Sequence, residues 1–367
     1  MDGERVLSID AFRGTAVAAM LIAGNPGNAH AVYSNLQPAV WHGWTPADLL
    51  FPFFLVCAGV VIPFSLGRRR RAGIAESALI GQILKRSAGL FLLGLFLNFF
   101  PAFDCSAVRI PGILQRIALC YSAGALLGLK TKPSARVVLS AVLPAVYAAL
   151  IFLVPVPGHG AGILEPDGNL PGYLDNLIFG RHLLKPGFDS EGLLSTLPAV
   201  AVLLIGTLLG DWLRTPRTMV RKTLGVFSAG LPLTAAGLLL HSVLPINRPL
   251  WTPAFAFLGA GLALIVFGLY YYLIEALQWK RWSWPFRVLG ANSITVFAGS
   301  VLLEKILRLI TVSSGGVRLD AVVFIHERIL GPLAAPVPGQ LIYAVLAALL
   351  WIGLTAPLYR HRLSIRI

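Results

Sequence analysis

Charged residues are scarce in this 367-residue chain, at 13% of the sequence against about 25% in soluble globular domains. Hydrophobic residues make up 56%, and the mean hydropathy is +0.77. Most of the chain therefore cannot face water, which excludes a predominantly soluble protein. Cysteine is also rare, and the three residues present, Cys57, Cys105 and Cys120, do not suggest a disulfide framework.

Sequence motifs for nucleotide or metal chemistry are missing as well. The chain has no Walker loop, no dinucleotide-binding glycine fingerprint and no Cys/His cluster with metal-ligand spacing, so no metal is expected. It has no internal repeat, which argues against an inverted-repeat transporter. Because no low-complexity linker divides the sequence, we predict a single domain over residues 1–367.

Long apolar runs dominate the sequence that remains. A helix needs about 20 apolar residues to cross the hydrocarbon layer, whereas the strands of a membrane barrel alternate in polarity over about ten residues. The runs here are unbroken, which favours helices. We therefore predict an all-α, polytopic transmembrane bundle of about ten spans, at 14–24, 49–66, 88–103, 112–129, 136–155, 192–213, 223–244, 250–275, 286–303 and 340–358.

The net charge of +14 at pH 7 reflects membrane orientation and does not indicate nucleic-acid binding. Most Lys and Arg residues lie in the loops on one side of the predicted spans, as the positive-inside rule expects of cytoplasmic loops. We therefore predict that both termini are cytoplasmic, that the chain contacts the lipid bilayer and that it binds no nucleic acid. The acidic residues Asp2 and Glu4 predict that the first span is retained and not cleaved as a signal peptide.

The stretch 24–53, in a loop predicted to lie outside, is the richest in chemically active side chains. His42 stands between Trp41 and Trp44, where two rings and a glycine turn can line a pocket at the membrane surface. A histidine there is a candidate general base. The alternative is an idle histidine between two aromatic residues that anchor the chain at the interface.

Two pairs of polar residues allow a structural as well as a functional interpretation. Thr45 and Asp48 fit the N-cap and N3 positions of the second span, so Asp48 is either a helix start or the group that orients His42. Asp10 and Arg13 lie three residues apart in the first span. They either pair with each other or leave Arg13 to hold a phosphate.

Two arginines and a glutamine, Arg109, Gln115 and Arg116, mark the outer start of the fourth span. A charge at mid-bilayer costs roughly 2.5–3.5 kcal/mol, so Arg116 should face the bundle interior. There it either pairs with an acid or binds an anion or a carbonyl group. Asp189 and Glu191 precede the sixth span, where acidic residues suit a helix N-terminus.

Two later segments add polar candidates. Asn247 and Arg248 lie in a turn before Trp251, on the side of the membrane predicted for His42. Asn292 lies within the ninth span, where it either bonds one helix to another or contacts a ligand.

Taken in order, these motifs resemble the membrane-bound family of heparan-alpha-glucosaminide N-acetyltransferase, in its bacterial branch. No single motif is diagnostic, but their shared order is specific. The resemblance runs through residues 5–360 and rests on the opening Ser-Ile-Asp-Ala-Phe-Arg-Gly, then 25–27, 41–53, 109–116, 189–192, 245–252 and 290–294.

The resemblance implies a transmembrane acyltransferase in the bacterial inner membrane. Such an enzyme moves an acetyl group from cytoplasmic acetyl-CoA to the amine of an extracytoplasmic amino sugar or glycan of glucosamine type. The oligomeric state stays open between a monomer and a homodimer.

Roles are assigned to individual residues from their type and their predicted side of the membrane. Two residues are predicted to be catalytic, His42 and Asp48. Five are predicted to bind the acetyl-CoA donor: Arg13, Asn25, Arg116, Asn247 and Asn292. Five others are predicted to bind the acceptor: Trp41, Arg109, Gln115, Arg248 and Trp251.

One position departs from the family pattern. The family's proposed catalytic histidine belongs to a His-Ala-x-Trp motif, which reads Pro38-Ala39-Val40-Trp41 here. Three outcomes stay open: His42 or His30 substitutes, positioning alone sustains a slower reaction, or acetyl transfer is lost. A missing general base typically costs about 10²–10⁴-fold in rate. If acetyl transfer is lost, the alternative function is that of a sugar transporter or a catalytically impaired relative.

Overall fold

The computed structural model describes residues 6–24, 33–314, 317–332, 336–361 and 363. Helices dominate this part of the chain, and its one sheet is an antiparallel pair of four-residue strands. The helices are Leu7–Gly24 (α1), Leu50–Arg71 (α2), Glu76–Phe99 (α3), Ile113–Lys130 (α4), Pro133–Leu153 (α5), Leu170–Phe179 (α6), Thr196–Leu213 (α7), Met219–Leu240 (α8), Pro253–Tyr271 (α9), Trp284–Ala291 (α10), Ser293–Leu309 (α11), Ala321–Phe324 (α12) and Pro336–Arg360 (α13), and the strands are Thr311–Ser314 (β1) and Val317–Asp320 (β2).

Eight helices in the described ranges are long and apolar enough to cross a membrane, namely α1, α2, α3, α5, α7, α8, α9 with its π-helical extension to Ala276, and α13. The chain is therefore an all-α, multi-pass integral membrane protein, as predicted. The predicted run 112–129 corresponds to α4, an 18-residue helix that carries Arg116. The cytoplasmic placement of both termini stays a prediction.

The ninth predicted span, 286–303, is not one continuous helix. It consists of α10 and α11, whose axes are bent by 70° at Asn292. Asn292 has φ −124° and ψ 36°, outside the helical region, so the helix breaks at this residue. Taken as a pair, the two helices are long and apolar enough for either a broken ninth span or a re-entrant loop.

Contacts between residues divide the chain into two compact units. The first contains the residues up to Pro38, Thr45–Leu50 and Gln278–Arg366, and the second contains Ala39–Trp44 and Phe51–Leu277. Helices α1 and α10–α13 thus belong to the first unit and α3–α9 to the second. The single-domain organisation over 1–367 stays a prediction, because a contact pattern does not test how the chain folds.

In the first unit, α1 packs against α10 through two glycines. A Cβ on Gly14 would lie 1.7 Å from the carbonyl oxygen of Phe286, and a Cβ on Gly290 would lie 1.9 Å from that of Asp10. The two backbones are therefore in direct contact, which only glycine allows. Elsewhere in this unit a cavity of about 260 Å³ lies between α11 and α13, with Glu304 and Trp351 in its wall, and its lining includes none of the predicted site residues.

In the second unit, polar side chains connect helices that are otherwise apolar. The buried Arg136 of α5 donates to Asp211 (2.6 Å) and Thr207 (3.0 Å) of α7. An arginine in this position needs such partners because an unpaired charge in the bundle is costly. Helix starts follow the usual chemistry: Asn169 caps α6, and Thr252 caps α9 ahead of Pro253.

We predict that Gly290→Ala destabilises the protein by about 1–3 kcal/mol, because the new methyl group meets the Asp10 carbonyl and the two helices must separate. Thermal unfolding in detergent measures the effect. Gly353→Ala in α13 is the matched control, since a Cβ there has no atom within 4 Å. It should be neutral or slightly stabilising, and equal unfolding temperatures for the two variants would contradict the proposed helix contact.

Candidate active site

His42 lies in the second unit, in a short loop fixed on both sides. Its Nδ1 lies 3.3 Å from the side-chain nitrogen of Asn247, and its Nε2 lies 3.8 Å from a carboxylate oxygen of Glu165. The preceding Trp41 donates from its indole nitrogen to the Leu164 carbonyl at 2.8 Å. The following Gly43 donates its N–H to the Ile246 carbonyl at 2.8 Å. The loop thus positions His42 between the segments around 165 and 247.

Asn247 organises the turn that leads into α9. Its side-chain oxygen accepts from the Leu250 N–H at 2.7 Å, and its own N–H donates to the Thr252 hydroxyl at 3.2 Å. The residue is fully buried. Because the amide oxygen is occupied within the turn, the amide nitrogen faces His42.

Trp251, in the same turn, is fully buried and strained. Its φ of +52° lies in the left-handed region, which is unusual for a bulky residue and costs about 1–3 kcal/mol. The rings of Phe51 and Phe255 meet it edge to face at 5.3 Å. Its indole nitrogen has no hydrogen-bond partner among the described residues. This buried donor is therefore available to a ligand.

Arg116 lies against the Trp251 ring, 5.3 Å from its centroid. The residue is 1% exposed, and one terminal nitrogen of its guanidinium donates to the Gly192 carbonyl at 2.9 Å and to the Ser195 hydroxyl. The other terminal nitrogen and Nε have no hydrogen-bond partner in the part of the chain that the structure describes. Arg116 is thus held in place by neutral groups and retains donors for a further acceptor.

A buried ionic cluster joins the loop before α4 to the segment before α7. Arg109 donates to both oxygens of Asp189, at 2.8 Å through Nε, and also to Glu191. Arg248 lies 3.8 Å from the other oxygen of Glu191. Burial acts to raise the pKa of Glu191, but Arg248, Arg116 and Arg109 together hold it below its usual value. Glu191 is therefore a carboxylate surrounded by three cations.

Asp175 of α6 completes the polar environment of this segment. One carboxylate oxygen accepts from the Leu193 N–H at 2.8 Å. The other lies where a Cβ on Gly192 would come within 1.7 Å, and it has no hydrogen-bond partner among the described residues. Burial, opposed by the Leu193 N–H and Arg116, raises the pKa of Asp175 to about 6.

These contacts form one continuous polar network in the second unit. It runs from Glu165 through His42 to the 247–252 turn, and from Trp251 through Arg116 to Gly192. At one end the network has an exposed carboxylate and imidazole, and at the other it has buried N–H donors that find no partner within the described ranges. Chemically, such a set can bind a polar acceptor molecule at its open end and a carbonyl oxygen in its interior.

Comparison with known proteins identifies the family. A model of "Heparan-alpha-glucosaminide N-acetyltransferase, catalytic" matches residues 5–238. The chain belongs to this family. The Homo sapiens heparan-alpha-glucosaminide N-acetyltransferase is 28% identical over 310 residues, covering 68% of this chain and 46% of the relative. The Mus musculus protein is 27% identical over 311 residues, covering 69% and 46%. The chain thus spans about half the length of the curated relatives it matches.

Most of the predicted site residues of this acetyltransferase family member lie in one of the two units. The second unit contains His42, Trp41, Asn247, Arg248, Trp251, Arg109, Gln115 and Arg116. Gln115 is buried next to Gly94 and Gly112, where added Cβ atoms would lie 2.4 and 2.6 Å from its amide oxygen. The catalytic and binding roles assigned to these residues stay predictions.

The other predicted site residues lie elsewhere. Asp48 belongs to the first unit and accepts from the Thr45 N–H at 2.8 Å. Because α2 begins only at Leu50, this hydrogen bond closes a turn ahead of the helix and does not cap it. Arg13 pairs with Asp10 at 2.8 Å. Asn292 lies at the break between α10 and α11. Asn25 and His30 lie outside the described residues.

The interpretation of Asp189 and Glu191 as a helix start was also wrong. Asp189 and Glu191 do not start a helix, because α7 begins at Thr196, and both acids bind Arg109 instead. Sequence reasoning also missed Glu165 and Asp175. Their one available signal was their place in the long outer loop 156–190, since loops of that length are often functional.

We predict that Asp175→Asn stabilises the protein as the pH rises. A raised pKa means that the protonated carboxyl favours folding below about pH 4 and that this contribution is lost as the pH passes about 6. The asparagine variant escapes this loss, so its advantage in free energy of unfolding should grow by about 2–3 kcal/mol between those pH values. Unfolding curves in detergent at pH 4 and 7 measure it.

The exposed Asp167→Asn in the same loop is the control for a general effect of removing one negative charge. If the Asp175 and Asp167 variants show the same pH dependence relative to the native chain, the raised pKa of Asp175 is wrong.

Proposed function

We propose that this protein transfers the acetyl group of cytoplasmic acetyl-CoA to the amine of an extracytoplasmic amino sugar of glucosamine type, across the bacterial inner membrane. The family is one of N-acetyltransferases, and the name of the two relatives specifies a glucosaminide acceptor. The membrane-spanning helices supply the barrier that separates donor from acceptor. The polar network of the second unit supplies groups for the chemistry.

One observation carries the proposal: Arg116 and Trp251 are buried side by side, and both have N–H donors without a partner among the residues that the structure describes. A buried donor left without an acceptor costs about 1–3 kcal/mol, so a fold that keeps several is suited to a ligand that supplies one. The thioester carbonyl of acetyl-CoA is such an acceptor. When the amine attacks, the carbonyl oxygen gains negative charge, and a cationic guanidinium with an indole N–H favours that charge.

The reaction balances without any further reagent. The amine nitrogen forms a bond to the acetyl carbon, the carbon–sulfur bond breaks, and the sulfur leaves as the thiol of CoA. The ammonium form of the amine must lose one proton to the protein before attack, and its second proton goes to the leaving sulfur. Since Pro38 occupies the position of the family's histidine, another residue has to accept the first proton.

Purified protein in liposomes tests the proposal. With labelled acetyl-CoA on the side of the cytoplasmic loops and glucosamine on the other side, we expect labelled N-acetylglucosamine to form. Liposomes without protein are one control, and protein given free CoA in place of acetyl-CoA is the other. Passage of unmodified glucosamine without acetylation would support a transporter instead and contradict the proposal.

We predict that Trp251→Phe lowers kcat roughly 10²–10³-fold, because it removes one donor to the developing oxyanion and keeps the aromatic packing against Phe51 and Phe255. Its unfolding temperature should change little, since the indole N–H has no partner among the described residues. Transfer rates and thermal unfolding measure both effects. Trp279→Phe, at a residue 58% exposed, is the control and should leave kcat unchanged.

A further inference from the structure

The orientation of the Asn247 amide determines which nitrogen of His42 carries the proton. The amide oxygen of Asn247 accepts from the Leu250 N–H, so its NH₂ group faces His42 Nδ1 at 3.3 Å. A donor directed at Nδ1 requires a lone pair there. In the neutral ring the hydrogen is then on Nε2.

This tautomer makes His42 a hydrogen-bond donor on the side where a substrate would approach. Nε2, which faces Glu165 at 3.8 Å, carries a hydrogen and cannot accept another proton. Nδ1 has its lone pair engaged by Asn247. The ring is therefore poorly arranged to act as the general base that its position in the sequence suggested.

Glu165 is the carboxylate that His42 faces, and its backbone is fixed on both sides. The preceding Leu164 carbonyl accepts from the Trp41 indole at 2.8 Å, and the Glu165 carbonyl accepts from the Asn169 amide at 2.8 Å. Asn169 is 1% exposed and also caps α6. The side chain itself is 71% exposed, so a positioned backbone presents an accessible carboxylate.

We propose that Glu165 binds the ammonium group of the acceptor and takes its first proton, with His42 as the positioning N–H donor. This inference rests on the proposed acetyl transfer. An amino sugar reaches the site with a cationic ammonium group, which a carboxylate attracts and which an imidazole N–H does not. Transfer of one proton to Glu165 leaves a neutral amine with the lone pair that attacks the thioester.

The acceptor class follows from this chemistry. The site selects a free primary amine on a sugar and discriminates against the N-acetylated product, which has no ammonium group. Discrimination arises because a site built around a charged partner loses that interaction with a neutral analogue.

Four variants separate Glu165 from His42 as the proton acceptor. Glu165→Gln should lower kcat roughly 10²–10⁴-fold and raise the KM for glucosamine, with the KM for acetyl-CoA unchanged. Glu165→Asp should recover part of the activity. His42→Gln keeps an N–H donor and should retain far more activity than His42→Ala. Asp167→Asn, two residues from Glu165 in the same loop, is the matched control and should behave as the native chain.

A glutamate variant with native kcat and KM, together with an inactive His42→Gln, would assign the base to His42 and overturn the inference. A native protein that transfers no acetyl group would instead count against the proposed function. In that case a binding measurement tests the role of Glu165 independently of activity. By titration calorimetry, glucosamine should bind Glu165→Gln at least about tenfold more weakly than it binds the native protein, while N-acetylglucosamine should not distinguish the two. Equal or undetectable glucosamine binding to both proteins overturns the inference.

Discussion

A guanidinium group inside an apolar helical bundle needs hydrogen-bond acceptors, and in the second unit the segment before α7 supplies two of them to Arg116. Arg116 is 1% exposed, yet it has no carboxylate hydrogen-bonded to it among the described residues. Its acceptors are the Gly192 carbonyl and the Ser195 hydroxyl. Both acceptors lie just ahead of α7, in the segment 189–195, which is not helical.

The non-helical segment has a second effect, because it also presents Asp189 and Glu191 to Arg109 and Arg248. A charge cluster of this kind is strongly destabilised when one partner is removed, since the remaining charge stays buried. Arg248 adjoins Asn247 in the turn before α9, so the cluster also fixes the turn that faces His42. The position of the histidine thus depends on ionic contacts at residues distant in the sequence.

The sequence was sufficient to predict the elements whose signal is local. Apolar runs located the spans, and His42 and Asn247, which the sequence predicted on the same side of the membrane, are in contact. The rest depends on long-range partners. Glu165 is positioned by a hydrogen bond from the Trp41 indole to the carbonyl of its neighbour Leu164, and these two residues are 123 positions apart. Asp189 is paired with Arg109, which lies 80 residues away. The break at Asn292 was also not predicted from the sequence, because the run is apolar on both sides of it.

The two ends of the polar network differ in exposure in a way that fits the two partners of an acyl transfer. A developing oxyanion is favoured most where water is excluded, because hydrogen bonds from fixed donors are stronger in a medium of low dielectric constant. An incoming ammonium group must instead shed its proton where it remains partly hydrated, since burying a cation before it is neutralised is costly. Arg116 and Trp251 are buried, whereas Glu165 and His42 are partly exposed. A proton acceptor at the exposed end is therefore consistent with proline at position 38. The exposed end offers another group that can receive the proton in place of the family's histidine.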